Sequence, residues 1–215
     1  MSTAAEPSVG HDPLVDPPAP VSVVNLANGL TVFRLLLVPV FAALLLADEG
    51  THDGLRVAAW GVFALAAYTD SLDGKVARSR GLVTSFGKLA DPIADKALTG
   101  AALVGLSLLS LLPWWVTAVV LVREVGVTLL RFWVIRHGVI PASRGGKLKT
   151  LLQGVAIGLY VLPLSGLLAS GRAVVMAVAV VVTVVTGLDY VARAVRLRRT
   201  SARADMKRAR RAARR

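Results

Sequence analysis

Six apolar runs of about 20 residues recur along the chain, and they constrain its fold more than any other feature. A helix of roughly 20 residues spans the hydrocarbon core of a bilayer, which is about 30 Å thick. The chain is 55% hydrophobic, with a mean hydropathy of +0.65. We therefore predict an all-α integral membrane protein with six transmembrane helices. The predicted spans are roughly residues 27–47, 55–77, 88–111, 113–135, 148–168 and 172–194.

The two ends of the chain differ from this apolar region. Residues 1–24 hold five prolines, and no basic segment precedes an apolar one, so we predict a disordered leader rather than a signal peptide. Residues 25–195 would form the membrane domain and residues 196–215 a basic tail. The segment 193–215 holds 11 Lys or Arg and one acid. Because this segment directly follows a predicted span, we expect it to contact an anionic lipid surface rather than nucleic acid.

The positions of Lys and Arg predict the orientation of the helices. The first connection, residues 48–54, has three acids and no basic residue, whereas the second and fourth connections are basic. The basic residues are Lys75, Arg78, Arg80 and Lys88 in the second connection and Arg136, Arg144, Lys147 and Lys149 in the fourth. Both termini are therefore predicted to be cytoplasmic, in a multi-pass protein of the cell membrane.

A spaced set of acids lies beside the second and third apolar runs. The motif D-x2-D-G-x2-A-R-x8-G-x3-D-x3-D begins at Asp70, ends at Asp95 and includes Asp73 and Asp91. Carboxylates at membrane depth cost about 2.5–3.5 kcal/mol each, so a group of them indicates a function. Acids three or four residues apart project from one helix face. Their convergence predicts a site for one or two hard divalent cations (Mg²⁺, Mn²⁺ or Ca²⁺) on the cytoplasmic side.

Residues between the acids suit a diphosphate ligand. Gly74 leaves room beside Asp73, Arg78 offers a fork for phosphate oxygens, and Thr84 can donate a hydroxyl hydrogen bond. The chain has no cysteine, which excludes thiol catalysis and zinc–thiolate sites. The acids could instead be solvated helix ends paired with nearby basic residues. Glycines and an arginine occur at fixed spacing between the acids. This pattern favours a site for metal ions and a diphosphate over solvated helix ends.

Residues 70–95 resemble the signature of the CDP-alcohol phosphatidyltransferase family, and every signature position matches. The resemblance extends over roughly residues 25–190 and implies a six-helix membrane enzyme that uses CDP-diacylglycerol and releases CMP. The segments NLANGLTVFRLLLVPVF, REVGVTLLR and GKLKT are most similar to members whose acceptor is glycerol 3-phosphate. Members that use phosphatidylglycerol (cardiolipin synthases) or make phosphatidylinositol phosphate are the alternatives.

The resemblance also implies roles for the motif residues. Asp70, Asp73 and Asp91 would bind two Mg²⁺ or Mn²⁺ ions, and Asp95 would be both a metal ligand and the catalytic general base. The cytidine diphosphate portion of the substrate would be held by Gly74, Arg78 and Thr84. The reaction requires a base of this kind, because the acceptor hydroxyl must lose a proton as it attacks phosphorus. Asp95, the last acid of the motif, is the candidate for that role.

Other polar residues lie within or beside apolar runs. Asn28, Thr31 and Arg34 form a stripe that either lines the site for CDP-diacylglycerol, as the resemblance implies, or satisfies a helix start. A second set is a candidate site for the phosphate of the acceptor, although an internal Arg123–Glu124 pair is the simpler explanation of the charges within the membrane. The members of this set are Arg123, Arg131, Lys147 and Lys149. Asp189 is expected to make a structural hydrogen bond.

Two other classes of protein place acids in membranes. Membrane prenyltransferases bind diphosphates through aspartates and magnesium, but their aspartate-rich clusters lack the G-x2-A-R insert found here. A cation channel needs polar groups along its whole path, whereas the motif acids are confined to the inner ends of two predicted helices. The sequence does not decide whether the chain forms a homodimer.

Overall fold

The computed structural model describes residues 26–79, 85–134 and 144–212, and all regular structure in these ranges is helical. Side chains are described for residues 28–70, 90, 93–130, 133 and 146–198. The predicted all-α class is confirmed for this part of the chain. The α-helices are α1 (Leu26–Leu46), α2 (Asp53–Ser79), α3 (Ser85–Leu108), α4 (Trp114–Val134), α5 (Arg144–Val161) and α6 (Gly166–Ala212).

The helix ends differ from the predicted spans mainly at the junction of α5 and α6. Helix α5 ends at Val161 rather than near residue 168, because Pro163 cannot donate a helical hydrogen bond and disfavours helical backbone at the preceding residue. Helix α6 starts at Gly166, whose φ of +59° suits glycine, and it continues beyond residue 194 to Ala212. Residues 196–212 of the predicted basic tail are therefore helical.

The turn after α1 also requires a glycine. A 3-10 helix over Ala47–Gly50 follows α1, and Gly50 has a φ of +70°. A Cβ atom at Gly50 would lie 2.6 Å from the side chain of Leu109, which follows α3. Glycine therefore lets the acidic turn pass close to the end of α3.

The helices pack as two groups that meet at the candidate site. Helix α1 contacts α2 and α3, and helix α6 contacts α4 and α5. The groups meet where α2 and α3 contact α5 and where α3 contacts α4. Fully buried alanines on α2 and α3 allow close helix approach; they are Ala59, Ala66, Ala94 and Ala102. Larger buried side chains from different helices complete the core, among them Phe41, Phe63, Leu103, Ile157 and Met176.

Two described helices are long and apolar enough to cross a bilayer by length and composition, namely the segments Asn28–Gly50 and Gly166–Arg198. Large apolar side chains on the outer surface, such as Leu36, Leu129 and Leu167, are exposed, as is expected of helices that face acyl chains. The number of spans and the side on which the termini lie stay predictions.

Arg56 is a buried charge that ties α2 to the end of α5. Its Nε atom donates to the carbonyl of Val161 at 3.0 Å, and its Nη2 atom donates to the carbonyls of Tyr160 at 2.8 Å and Leu162 at 3.0 Å. The last carbonyls of a helix have no partner within the helix and carry partial negative charge. Arg56 therefore caps α5 and stabilises the contact between the two helix groups.

Candidate active site

The two outer acids of the motif lie on neighbouring helices. Asp70 is on α2 and Asp95 is on α3, and both side chains are exposed. The charges of Asp70 and Arg34 both act on the Asp95 carboxylate, so the three groups share one electrostatic environment. The structure thus brings together two acids that are 25 residues apart in sequence.

The remaining motif residues can be placed only by backbone. Asp73, Gly74 and Arg78 follow Asp70 on α2, and Asp91 precedes Asp95 on α3, but their side chains lie outside the described residues. Thr84 lies outside them entirely. Each acid pair is on one continuous helix, as the spacing predicted. Within the described part of the chain, no three His, Cys, Asp or Glu side chains are grouped closely enough to hold a metal ion. The metal site therefore stays a prediction.

Arg34 connects the polar stripe of α1 to the motif. Its guanidinium forms an ion pair with the Asp70 carboxylate, and the Arg34 side chain is 1% exposed whereas that of Asp70 is 48% exposed. Thr31 and Asn28 are also buried, about one and two turns before Arg34 respectively. This geometry places the stripe against the motif and leaves the outer side of the Asp70 carboxylate open. Of the two interpretations of the stripe, contact with the site is the one that the ion pair supports.

A second polar cluster lies between α4, α5 and α6. It consists of Arg123 and Glu124 on α4, Lys149 on α5 and Thr186 on α6, and we call it the α4–α6 cluster. Arg123 Nη1 lies 3.0 Å from Glu124 Oε1, and Lys149 forms an ion pair with the same oxygen. Arg123 Nη2 donates to the Thr186 hydroxyl at 3.3 Å. Each of the two cations therefore has a carboxylate partner.

Close packing positions Arg123 in this cluster. A Cβ atom at Gly187 would lie 3.0 Å from Arg123 Cγ, so glycine at this position of α6 leaves room for the arginine stem. The charge of Asp95 also acts on Lys149, and that of Glu124 acts on Asp95. The α4–α6 cluster and Asp95 are therefore within range of each other's charge, although they come from different helix groups.

The structure assembles only part of the predicted acceptor site. Lys149 is buried and meets Arg123 through Glu124, whereas Lys147 is exposed two residues earlier. Arg131 is on α4, but its side chain lies outside the described residues. The internal Arg123–Glu124 pair considered from the sequence is present. The sequence analysis did not identify the partnership of Glu124 with Lys149, because residues 25 positions apart carry no local signal of contact.

Asp189 has the structural role that the sequence predicted. Its carboxylate accepts from Arg193 Nε at 2.9 Å, one turn along α6, and both side chains are about half exposed. Further along α6, the Arg198 guanidinium lies 4.3 Å from the centre of the Trp133 ring of α4. A cation–π contact of this kind holds the start of the basic segment against the bundle.

Replacing Glu124 with leucine is expected to destabilise the protein by roughly 3 kcal/mol, since removing one partner of a buried ion pair costs about 3–5 kcal/mol. The substitution leaves Lys149 and Arg123 without their counter-ion. Thermal unfolding in detergent measures the loss. Arg193→Leu, which breaks the exposed pair with Asp189, is the matched control and should cost less than about 1 kcal/mol. Equal shifts in Tm for both variants would contradict this assignment.

Comparison of the sequence with known proteins identifies relatives of this chain. The family described as CDP-alcohol phosphatidyltransferase matches residues 24–185. The chain is 60% identical to a probable phosphatidylglycerophosphate synthase of Mycobacterium tuberculosis, over 81% of this chain and 83% of the relative. It is 37% identical to the CDP-diacylglycerol–glycerol-3-phosphate 3-phosphatidyltransferase of Bacillus subtilis, over 77% and 93% of the two chains. A cardiolipin synthase (CMP-forming) of Streptomyces coelicolor is 38% identical over 55% of each chain.

Proposed function

Because the chain belongs to the CDP-alcohol phosphatidyltransferase family, we propose that it transfers phosphatidyl from CDP-diacylglycerol to glycerol 3-phosphate. The products are phosphatidylglycerophosphate and CMP, and the reaction is a step of phospholipid biosynthesis. High identity to a phosphatidylglycerophosphate synthase over most of both chains is the observation that carries the choice of acceptor. The cardiolipin synthase matches over a shorter part of the chain, which makes phosphatidylglycerol the second candidate acceptor.

The motif acids are proposed to hold two Mg²⁺ or Mn²⁺ ions. The described part of the site fits hard cations, because these ions prefer oxygen ligands. Asp70 and Asp95 are exposed carboxylates, and the charge of Asp70 acts on Asp95. Asp73 and Asp91 are the other proposed ligands. Bound ions would neutralise the negative charge that develops on the departing nucleotide. The ion pair with buried Arg34 fixes one side of Asp70, which favours a single orientation of that carboxylate.

Asp95 is proposed to remove the proton from the acceptor hydroxyl. The hydroxyl oxygen forms a bond to the phosphorus that carries diacylglycerol, the bond from this phosphorus to CMP breaks, and the proton passes to the Asp95 carboxylate. Exposure of Asp95 allows an acceptor to reach it. Asn28, Thr31 and Arg34, which are buried on α1, are proposed to border CDP-diacylglycerol together with Gly74, Arg78 and Thr84 of the motif.

The α4–α6 cluster is proposed to hold the phosphate of glycerol 3-phosphate. Arg123 and Lys149 carry two positive charges against the single negative charge of Glu124, so the cluster has a net positive charge. A phosphate monoester can share these donors with Glu124 because guanidinium and ammonium groups each offer several N–H bonds. Arg131 and Lys147 are the further candidates that the sequence offers. The electrostatic influence of Asp95 on Lys149 supports an acceptor that bridges the cluster and the base.

The acceptor assignment is tested with purified enzyme, CDP-diacylglycerol and one acceptor at a time. We expect CMP release to depend on glycerol 3-phosphate and to be at least tenfold slower with phosphatidylglycerol or inositol phosphate. Thin-layer separation of labelled lipid identifies the product. If glycerol 3-phosphate gives no product while phosphatidylglycerol does, the chain is a cardiolipin synthase and the acceptor assignment is wrong.

The enzyme is proposed to span the cell membrane six times, with its active site and both termini in the cytoplasm. The basic segment 193–215 would then lie along anionic lipid of the inner leaflet. Because the chain has no cysteine, single cysteines report the orientation directly. In intact cells, an impermeant maleimide should label His52→Cys but not Ser201→Cys, which should react only after permeabilisation. The reverse pattern would overturn the proposed orientation.

A further inference from the structure

Three buried polar atoms at the α4–α6 cluster have no hydrogen-bond partner among the described residues. They are Arg123 Nε, Gln153 Oε1 and Thr183 Oγ1. Gln153 is 6% exposed and Thr183 is fully buried. Buried polar atoms in folded proteins nearly always have a partner, and leaving one unpaired is costly. Unpaired buried atoms of this kind indicate that another group, absent from the chain itself, completes their hydrogen bonds.

Gln153 and Thr183 each lie about one helical turn along their helix from a member of the cluster. Gln153 follows Lys149 by four residues on α5, and Thr183 precedes Thr186 by three and Gly187 by four on α6. Residues three or four apart share a helix face. Thr186 and Gly187 both contact Arg123, and α6 packs against both α4 and α5. Gln153 and Thr183 therefore face the region into which Arg123 extends.

The unpaired atoms complement an alcohol group. Arg123 Nε is a donor, the Gln153 carbonyl oxygen is an acceptor, and the Thr183 hydroxyl is both. A hydroxyl group both donates and accepts, so it can satisfy an acceptor and a donor at once. An anion alone would not serve the Gln153 oxygen, which needs a donated hydrogen. The neutral groups of Gln153 and Thr183 thus add to the cationic cluster an acceptor and a hydroxyl that an anion alone would not satisfy.

We infer that Gln153, Thr183 and Arg123 Nε form a hydroxyl-binding subsite. This subsite recognises the secondary hydroxyl of the acceptor alcohol, which does not react. This inference rests on the proposed function, in which the acceptor phosphate lies at Arg123 and Lys149 and the reacting hydroxyl lies at Asp95. Glycerol 3-phosphate carries its secondary hydroxyl between these two groups. The terminal nitrogens of Arg123 would contact the phosphate, and its Nε would contact this hydroxyl. The subsite would select a polyol phosphate over a simple alkyl alcohol phosphate.

The test compares two acceptors that differ by one hydroxyl, glycerol 3-phosphate and 3-hydroxypropyl phosphate. Full-length enzyme is assayed by CMP release with CDP-diacylglycerol, and kcat/KM is measured for each acceptor. Thr183→Val and Gln153→Met remove the polar atoms with little change in volume, and Thr183→Ser keeps the hydroxyl as the matched control. A site that binds a substrate hydroxyl discriminates strongly against the analogue that lacks it.

We expect Thr183→Val and Gln153→Met each to lower kcat/KM for glycerol 3-phosphate about fivefold to tenfold, as for loss of one neutral hydrogen bond. The ratio of kcat/KM for glycerol 3-phosphate to kcat/KM for 3-hydroxypropyl phosphate should fall by the same factor. Thr183→Ser should keep the wild-type ratio. Parallel loss with both acceptors, or an unchanged ratio, would show that the side chains bind only a structural water and would overturn the inference. If the wild-type enzyme turns over neither acceptor, the proposed function is overturned together with the inference. Failure of the inference alone is recognised because the wild-type enzyme still uses glycerol 3-phosphate.

Discussion

Replacing Asp95 with asparagine is expected to lower kcat for phosphatidyl transfer by about 10²–10⁴-fold, the usual contribution of a positioned general base. Asparagine keeps the shape of the side chain and one oxygen, but it cannot accept the proton of the attacking hydroxyl. Asp95 is exposed on α3, a helix that belongs to one group and contacts the other, so an acceptor can approach it. Initial rates of CMP release at saturating CDP-diacylglycerol measure the effect.

The same variant separates the two roles assigned to Asp95. If it acts mainly as a base, Asp95→Asn should retain metal-dependent binding of CDP-diacylglycerol, measured with a labelled nucleotide-lipid. If it acts mainly as a ligand, the metal concentration needed for binding should rise as well. Asp189→Asn is the matched control, because Asp189 pairs with Arg193 on the surface of α6 and should leave turnover unchanged. Unchanged turnover in Asp95→Asn would refute the base assignment.

Removal of divalent metal is expected to abolish turnover completely. Without cations, the motif carboxylates would repel both one another and the substrate diphosphate, so CDP-diacylglycerol should not bind productively. Chelator is added to purified enzyme, and the metals are then supplied singly in excess. Mg²⁺ or Mn²⁺ should restore CMP release, because both accept all-oxygen ligand sets and leave coordination positions for phosphate oxygens.

Two outcomes would contradict the metal proposal. Full activity in chelator would show that the carboxylates work without cations. Restoration by Zn²⁺ but not by Mg²⁺ would contradict the hard-ligand argument, since the motif contains neither histidine nor cysteine. Chelator saturated with Mg²⁺ before addition is the control for a direct effect of the chelator on the membrane protein.

The helical content and the motif could be predicted from the sequence because both depend on local patterns. An apolar run of about 20 residues forms a helix wherever its backbone is removed from water, since its own hydrogen bonds are then the only ones available. The spacing of the motif acids likewise determines which of them share a helix face. The predicted and observed ends differ at α5, where Pro163 interrupts an apolar run that looks continuous, and at α6, where the helix continues from the apolar run into the basic segment as far as Ala212.

Contacts between distant segments were decided only by the packing of the helices. Arg34 meets Asp70 across 36 residues, and Lys149 meets Glu124 across 25. Arg56 reaches the end of α5 across about 105 residues. In each case the sequence shows a charge within an apolar run, which must find a partner because burial of an isolated charge is costly. The choice of that partner depends on which helix faces meet, and this is set by the tertiary structure as a whole.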